Sequence, residues 1–405
     1  MKKANKNLIA FILVFVFVAS GLASADTVKG VGGSVMQFFN DVSVYGVKYS
    51  FALATKSVEK ALSEGLIYHD TMMNVNSVFY RLSGTAVVRK DDTTVARTKN
   101  GYLLNPRPEM TAEDLEWRSE NVRELGEIAE SNGAHFLYVM APSKGYALEY
   151  PSNVEDYTVP NCDGFSALLR EKKVPFLNLI ETASSEGIAE EEMFFVTDHH
   201  WRPERAIWAA EKVGQYLSEN YGFEYGEYLW NLDNYNIKTY EDWFLGSQGK
   251  KVGVHFTPYG ADDINLIVPK FDTSLTEEQP EKGLVREGTF ADLLYMENIN
   301  VKDHYNLNPY ATYSGGDFRE QIITNHGNPE GKTAIVIRDS FGCAFTPFFS
   351  LGFSKLYVTD VRDGGYVGEK LDMREYIQKI KPDYVIVLYT GLSGGDSLYT
   401  FVDNK

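Results

Sequence analysis

Two short stretches hold side chains able to do chemistry together: "TDHHW", residues 197–201, and "RDSFG", residues 338–342. Asp198 and His200 are two apart, so on an extended segment they share a side, where the carboxylate can orient the imidazole and stabilise its charged form. Such a pair needs a hydroxyl to deprotonate. Ser340 follows the buried-looking run "AIVIR" and opens a helix-like segment, so its hydroxyl stands on a strand-to-helix turn beside amides that can stabilise an oxyanion. Asp198 as orienting acid, His200 as base and Ser340 as nucleophile would perform acyl transfer.

Adjacent histidines also raise the question of a metal. A catalytic zinc takes about three convergent protein ligands, and neighbours on an extended segment point to opposite faces, so His199 is expected to face away from the pair. The other histidines, His69, His135, His255, His304 and His326, are scattered singly. Neither a metal nor a cofactor is expected. The local residues leave a plainer alternative open: Thr197 and Asp198 capping a helix with the histidines packed under Trp201, and Asp339-Ser340 capping another.

These residues must be held by elements that the hydrophobic pattern outlines. After "TDHHW", Pro203 suits a first helical turn, and Ala206, Ala210, Val213 and Leu217 form a helical stripe, which sets the motif in a loop at a strand's C-terminal end. "TAED" at 111–114 has capping-box form and leads a helix with Leu115, Val122, Leu125 and Ile128. The strand-like "HFLYVMA", the helical "FSALLREKK" and "VPFLNL" follow, and the alternation returns in "KTAIVI", "SKLYVTD", "DMREYIQKIK" and "DYVIVLYTG". Buried Val- and Ile-rich runs separated by helices predict an α/β domain over 106–405, a parallel sheet flanked by helices. Residues 223–305, rich in Tyr, Trp, Asn and Gly, read as a β-rich insertion, and 26–105 as a loosely packed lead-in with some helix. Lys2, Lys3 and Lys6 before the apolar Leu8–Ala19 and "GLASAD" read as a signal peptide over 1–25, cleaved after Ala25, or else as an uncleaved anchor. Export to the cell envelope or beyond is therefore expected.

Composition narrows the partners. The chain has 405 residues, 44% apolar and 23% charged, which suits a folded protein with a large core. Its formal net charge of -17 excludes general affinity for nucleic acid or anionic lipid, which require a basic surface. With Cys162 and Cys343 the only cysteines, the chain is no disulfide scaffold, and two unpaired thiols are expected. The 26 Tyr and 24 Phe suit aromatic cores or carbohydrate contact.

"TDHHW" with its Pro-started helix, "FLGSQGKKVG", "YATYSGGD" and "VIRDSFGCAF" occur in the order found in the DHHW family of exported bacterial proteins, which the chain resembles from about residue 75 onward. That family is similar to periplasmic alginate O-acetyltransferases and SGNH-hydrolase-like folds. The resemblance implies a circularly permuted SGNH arrangement, with Asp198 and His200 matching acid and base and Ser340 the nucleophile. It also implies acetyl transfer through an acetyl-serine onto a polysaccharide hydroxyl, beside a membrane-bound O-acyltransferase that supplies the acetyl group. Two positions depart from the pattern: Arg338 stands where Gly is usual, and Asp317 where Asn, better able to donate to an oxyanion, is frequent; Gly316 is the candidate backbone donor, while "GG" also reads as a tight turn. Ser247, Gln248 and Lys250, with Lys251, offer hydroxylated or anionic substrate a Gly-flanked polar loop, which also reads as a solvated turn. Lys144 reads as a strand-end cation, facing either the site or solvent. Trp201, Trp230 and Trp243 are candidates for sugar stacking or for core. An acetyl esterase using the same three residues, or an inactive glycan-binding scaffold, are the competing functions.

Overall fold

Strand β4 (His135–Ala141) shows why the core has two halves. Leu137, Val139 and Ala141 turn to one face and Phe136, Tyr138 and Met140 to the other, the period-two geometry of a strand buried on both sides. The computed structural model describes residues 69–90, 93–362, 370–392 and 395–402, so the expected signal peptide and the lead-in as far as residue 68 lie outside the described residues. The chain falls into two units, Met1–Phe79 and Tyr80–Lys405.

In chain order the elements begin with α1 (His69–Leu82) and the small sheet β1 (Val87–Lys90), β2 (Thr93–Arg97) and β3 (Leu103–Leu104). Then come α2 (Ala112–Ser131), β4, α3 (Lys144–Ala147), α4 (Thr158–Glu171), β5 (Phe176–Asn178), α5 (Leu179–Ser185), α6 (Glu190–Met193) and α7 (Pro203–Tyr221). An antiparallel ribbon, β6 (Tyr235–Phe244) and β7 (Asp262–Pro269), encloses α8 (Ser247–Val252). The chain continues through β8 (Leu275–Gln279), β9 (Leu284–Gly288), β10 (Glu320–Asn325), β11 (Thr333–Arg338), α9 (Gly342–Phe349), β12 (Lys355–Thr359), α10 (Met373–Ile380) and β13 (Tyr384–Thr390).

The central sheet has eight strands in the order β5-β4-β13-β11-β12-β10-β8-β9. The first five run parallel, as the buried Val/Ile runs predict. The parallel expectation fails at the far edge, where β10 is antiparallel to both β12 and β8, and β8 to β9. The cause is visible in the pattern: β10 "EQIITN" buries only alternate residues, as a strand with one covered face does. β8 and β9, from the stretch read as an insertion, thus extend the main sheet.

Helices α7 and α9 cover one face, and α2, α4 and α10 the other. Helix α2 opens with the capping box: Asp114 N–H donates to Thr111 Oγ1 at 3.1 Å, and Asp114 Oδ2 accepts the Thr111 amide. Helix α7 starts with Pro203 and ends at Gly222, whose φ of 67° is cheap only for glycine. Every β13 residue is buried, and at about 1.5–3 kcal/mol per large apolar side chain this strand alone anchors the sheet. On the small sheet, Val88, Val95 and Leu103 pack on Val252 and Phe256, and Leu103 N–H reaches the Val196 carbonyl at 3.0 Å, so this part of the lead-in is tied to the "TDHHW" loop.

Candidate active site

The "TDHHW" loop is shaped by hydrogen bonds from elements distant in sequence. It does not end a sheet strand, contrary to the sequence reading. Residues 194–196 follow the short helix α6, and Phe194 makes only an isolated antiparallel bridge with Trp201, so the segment is a tight bend before α7. The buried Asp262 accepts the amides of Val196 (2.6 Å) and Thr197 (2.8 Å) and the Thr197 hydroxyl (2.5 Å). Lys144, read as a strand-end cation, is 3% exposed and sits under the loop. Its Nζ donates to the carbonyls of Val196 and Asp198, both at 2.8 Å, and to Gln248 Oε1 at 3.3 Å. Burial pulls the Lys144 ammonium down to about 7, against the opposing fields of Asp262 and Asp198. From the other side, Gly246 N–H donates to Thr197 Oγ1 at 2.8 Å. A Cβ at Gly246 would stand 2.2 Å from Asp198 Cβ, so only glycine allows this approach.

Ser340 stands where the sequence puts it, on the turn between β11 and α9. Asp339 builds that turn: one carboxylate oxygen accepts Phe341 N–H (3.0 Å) and the other Thr390 N–H (2.8 Å) at the end of β13. Thr390 Oγ1 donates to the Pro142 carbonyl at 3.1 Å, so the C-terminal ends of β4, β13 and β11 meet at one edge, the place where open α/β sheets put their sites. The first amides of α9 are spoken for, Phe341 by the Asp339 carboxylate and Gly342 by the Asp339 carbonyl (3.0 Å). Neither is left to an oxyanion as the sequence suggests.

The two stretches meet. His200 Nδ1 lies 2.5 Å from Asp198 Oδ1, and His200 Nε2 lies 2.7 Å from Ser340 Oγ. With Nδ1–H donated to the carboxylate, Nε2 is the acceptor for the serine proton, a tautomer assigned from this network. Asp198 Oδ2 accepts Ser247 N–H at 2.6 Å. Burial would raise the Asp198 carboxyl, but the two imidazoles and these hydrogen bonds hold it well below the usual carboxylate range. The His200 ring stacks on Tyr310 at 4.2 Å between centroids, and Tyr310 OH donates to the Phe341 carbonyl (3.2 Å), which locks the imidazole against the Ser340 turn. Helix-capping does not explain these residues, since the N-cap of α7 is Arg202 and that of α9 is Phe341.

His199 departs from expectation. The bend brings its ring to 3.8 Å from that of His200, and its Nδ1 meets Ser247 Oγ at 2.9 Å. Asp198, His199 and His200 therefore do have potential ligand atoms within 4.8 Å of one another, and the opposite-faces argument against a metal fails because the backbone is bent there. An ion on all three would have to compete with the Asp198–His200 and His200–Ser340 hydrogen bonds already made.

The remaining sequence candidates divide. Ser247 touches Asp198 and His199; Gln248 is buried and bridges Lys144 to Asn105 Oδ1 (2.7 Å). Lys250 instead donates to the Leu307 carbonyl at 2.7 Å, and it is Lys251 that lines the open cleft beside the site. Trp201 and Trp230 are core: their indole N–H groups donate to Tyr310 OH (3.1 Å) and the Phe348 carbonyl (2.9 Å). Trp243 is half-buried. Cys162 and Cys343 are buried free thiols.

The two departures from the DHHW pattern form a pair. Arg338, fully buried, makes an ion pair with Asp317 and donates from Nη2 to the Gly316 carbonyl at 2.9 Å, while the Cys343 thiol donates to the same carbonyl at 3.3 Å. Asp317 also accepts Arg362 Nη2 at 2.8 Å. Burial alone would raise the Asp317 carboxyl, but the two guanidinium groups hold it well below the usual range. The structure brings Gly316 to Arg338 and Cys343, with its carbonyl turned inward.

A cleft of about 430 Å³ opens next to Asp198, His200 and Ser340, walled by His199, Phe341, Ser247, Gln248, Arg107 and Lys251 among others. Asp262, Tyr310 and Gly246 are residues sequence reasoning did not credit, and Lys144 was considered without its place under the loop, because each acts through a contact made only in the fold.

Residues 100–227, which include Asp198 and His200, match the family described as ALGX: SGNH hydrolase-like domain, acetyltransferase AlgX. No curated protein matches the chain. Among solved structures, Bacillus cereus PatB1 is 21% identical with a TM-score of 0.63, over 76% of this chain and 100% of that one. The same protein with a sulfonyl adduct gives 20% and 0.62, over 78% and 99%. A DHHW family protein from Eubacterium siraeum gives 19% and 0.58, over 79% and 98%. The likeness at this identity is one of fold, and it agrees with the match over 100–227: the chain carries an SGNH hydrolase-like α/β fold.

Proposed function

We propose that the protein is an exported O-acetyltransferase that carries acetyl groups, as an ester of Ser340, to hydroxyls of an extracellular or cell-envelope polysaccharide. The observation that carries this reading is the unbroken line Asp198–His200–Ser340, with spacings of 2.5 and 2.7 Å. Ser340 Oγ attacks the acetyl carbonyl while His200 Nε2 takes its proton, and Asp198 stabilises the resulting imidazolium. Collapse expels the donor's oxygen, protonated by His200, and leaves acetyl-Ser340. An acceptor hydroxyl then gives its proton to His200 and attacks the ester, and the serine is released. Gly316 is the proposed oxyanion donor; Arg338 and Cys343, which pin its carbonyl, fix the direction of the loop that carries it.

The leader-like residues 1–25 and the order of the DHHW-like motifs support export and a polysaccharide acceptor, and the family matched over 100–227 is named for an acetyltransferase. A membrane-bound O-acyltransferase is the proposed source of acetyl groups. The scaffold alternative rested on Arg338 and Asp317, and their mutual neutralisation argues against it. Esterase action differs only in the acceptor, water in place of a sugar.

The test is Ser340→Ala, assayed with a chromogenic acetyl ester in the presence and absence of oligosaccharide. Acetyl transfer is expected to fall by about 10⁴-fold or more, on the scale seen when a serine nucleophile is removed. Unchanged turnover overturns the proposal, and wild-type release of acetate without acetylated sugar reassigns the protein as an esterase.

A further inference from the structure

A second and larger cleft, of about 890 Å³, lies next to the one at the triad and has no part in the chemistry derived above. Arg97, Thr98, Lys99, Asn100, Glu149 and Ser152 are in its wall. Tyr150 belongs to the walls of both clefts. That tyrosine is half-buried on Tyr102, Leu104, Leu148 and Val196, and its hydroxyl donates to the Asn105 carbonyl at 2.8 Å. Asn105 in turn accepts from Gln248 at the triad cleft and donates to the Thr94 carbonyl (2.8 Å), so the floor between the clefts is one hydrogen-bonded unit.

Both clefts are open to solvent and mixed in character, with hydroxyl, amide and cationic side chains around an aromatic ring. This suits a ligand that is polar at its edges and apolar on its faces, as pyranose rings are. Arg97 is committed to the floor, donating to the carbonyls of Phe256 (2.5 Å) and Thr85 (3.3 Å). Lys99 and Asn100 are exposed at the rim. A small acyl acceptor would need only the cleft at the triad; a polymer passing it has to lie somewhere on either side.

We propose that the two clefts are one acceptor groove, in which the second cleft, beyond Tyr150, holds the stretch of glycan chain remote from the sugar being acetylated. The inference rests on the proposed function for its acceptor, but the binding it describes can be measured without any turnover. The groove makes the enzyme a reader of chain length: each sugar seated past Tyr150 adds contact area, so affinity climbs with oligomer length until the second cleft is full.

The experiment measures binding of ladders of chito-oligosaccharides and of polyuronate fragments to the full chain by calorimetry, with the Ser152→Trp protein alongside. Ser152 is exposed on the cleft wall, where an indole would fill the second cleft with little demand on the core. For the wild type, a long oligomer of at least one ladder is expected to bind about tenfold or more tighter than its dimer. In Ser152→Trp that ratio is expected to collapse toward one. Length-independent binding by the wild type, failure of both ladders to bind it, or a wild-type ratio retained by a folded Ser152→Trp protein each overturns the proposal. Should that variant not fold, Asn100→Trp, at another exposed position of the same cleft wall, serves under the same criteria. If length-dependent binding appears while no acetyl is transferred to any acceptor, the groove stands and the acetyltransferase reading falls.

Discussion

Replacing Lys144 with Met removes the ammonium inserted beneath the loop that bears Asp198 and His200, and the consequence depends on pH in a way that can be worked out. The wild-type ammonium is 3% exposed and its three N–H donors are all used, on Val196 O, Asp198 O and Gln248 Oε1. Burial lowers its pKa from 10.5 to about 7. At 1.36 kcal/mol per unit, the charged form is therefore disfavoured in the fold by about 5 kcal/mol relative to the unfolded chain. Between about pH 7 and pH 10.5 the unfolded chain holds the lysine proton and the folded chain does not, so this group adds stability as pH rises, by up to about 1.4 kcal/mol per unit. That contribution is fully present above the unfolded pKa and is lost as pH falls through about 7. Methionine carries no such proton. The wild-type advantage over Lys144→Met should thus grow across this window, whatever its value at neutral pH, where relief of charge burial opposes the loss of hydrogen bonds costing about 1–3 kcal/mol per orphaned acceptor. Urea unfolding of both proteins at a series of pH values checks the slope, since every other titrating group cancels in the difference. Release of the Asp198 carbonyl should also lower kcat/KM about tenfold to a hundredfold. A stability difference that is flat or falling with pH refutes the burial argument.

Three further perturbations follow from the same geometry. Asp198→Asn reverses the polarity of the bond to His200 Nδ1 and favours the wrong tautomer, so kcat should drop by about 10⁴-fold with the fold intact; a loss below tenfold removes Asp198 from the mechanism. Asp317→Asn removes the carboxylate paired with the buried Arg338 and leaves it the field of Asp360, at a cost of about 1–3 kcal/mol, whereas Arg338→Met made in the same chain should restore most of that loss; denaturation midpoints of the singles and the double test the coupling, and additive losses contradict it. Gly246→Ala drives a methyl group to 2.2 Å from Asp198 Cβ and 2.6 Å from its Cα, which should cost about 1–3 kcal/mol and depress acetyl transfer by displacing the acid; full activity with unchanged thermal unfolding would show that the loop yields freely.

The parallel half of the fold was legible because burial on both faces writes itself into the sequence as unbroken apolar runs. "HFLYVMA" and "DYVIVLYTG" can hardly be anything but inner strands, and they are β4 and β13, paired through seven residues. The antiparallel edge was not legible. "LTEEQ" carries two glutamates and a glutamine, yet Glu277 and Gln279 are buried in β8, where Glu277 accepts from Tyr295 OH and from the Gln279 and Gln321 amides. A strand whose covered face is largely polar leaves little hydrophobic period to read, and its place in the main sheet is set by β10, more than 40 residues on in the chain.

At the site, the divide between what sequence disclosed and what it hid follows the kind of contact. Side chains close in the chain were readable in part: Asp198 and His200 do meet, though across a bend and not along the extended segment assumed for them, and Ser340 stands on a turn marked by the end of an apolar run. Their meeting across 140 residues follows from parallel topology at the serine, but not at the histidine, whose loop hangs from Asp262, Lys144 and Gly246 in place of a strand end. None of those three has a local signature, since a buried ammonium and an exposed one are the same letter. Arg338 and Asp317 show the cost of reading positions singly. Each alone looks like damage to an oxyanion loop; together they are an ion pair, buried at its Arg338 end, that ties residues 316–317 to the first turn of α9. An arginine buried beside Ser340 needs an anion to receive it, and Asp317 is that anion, so the two positions are to be read together.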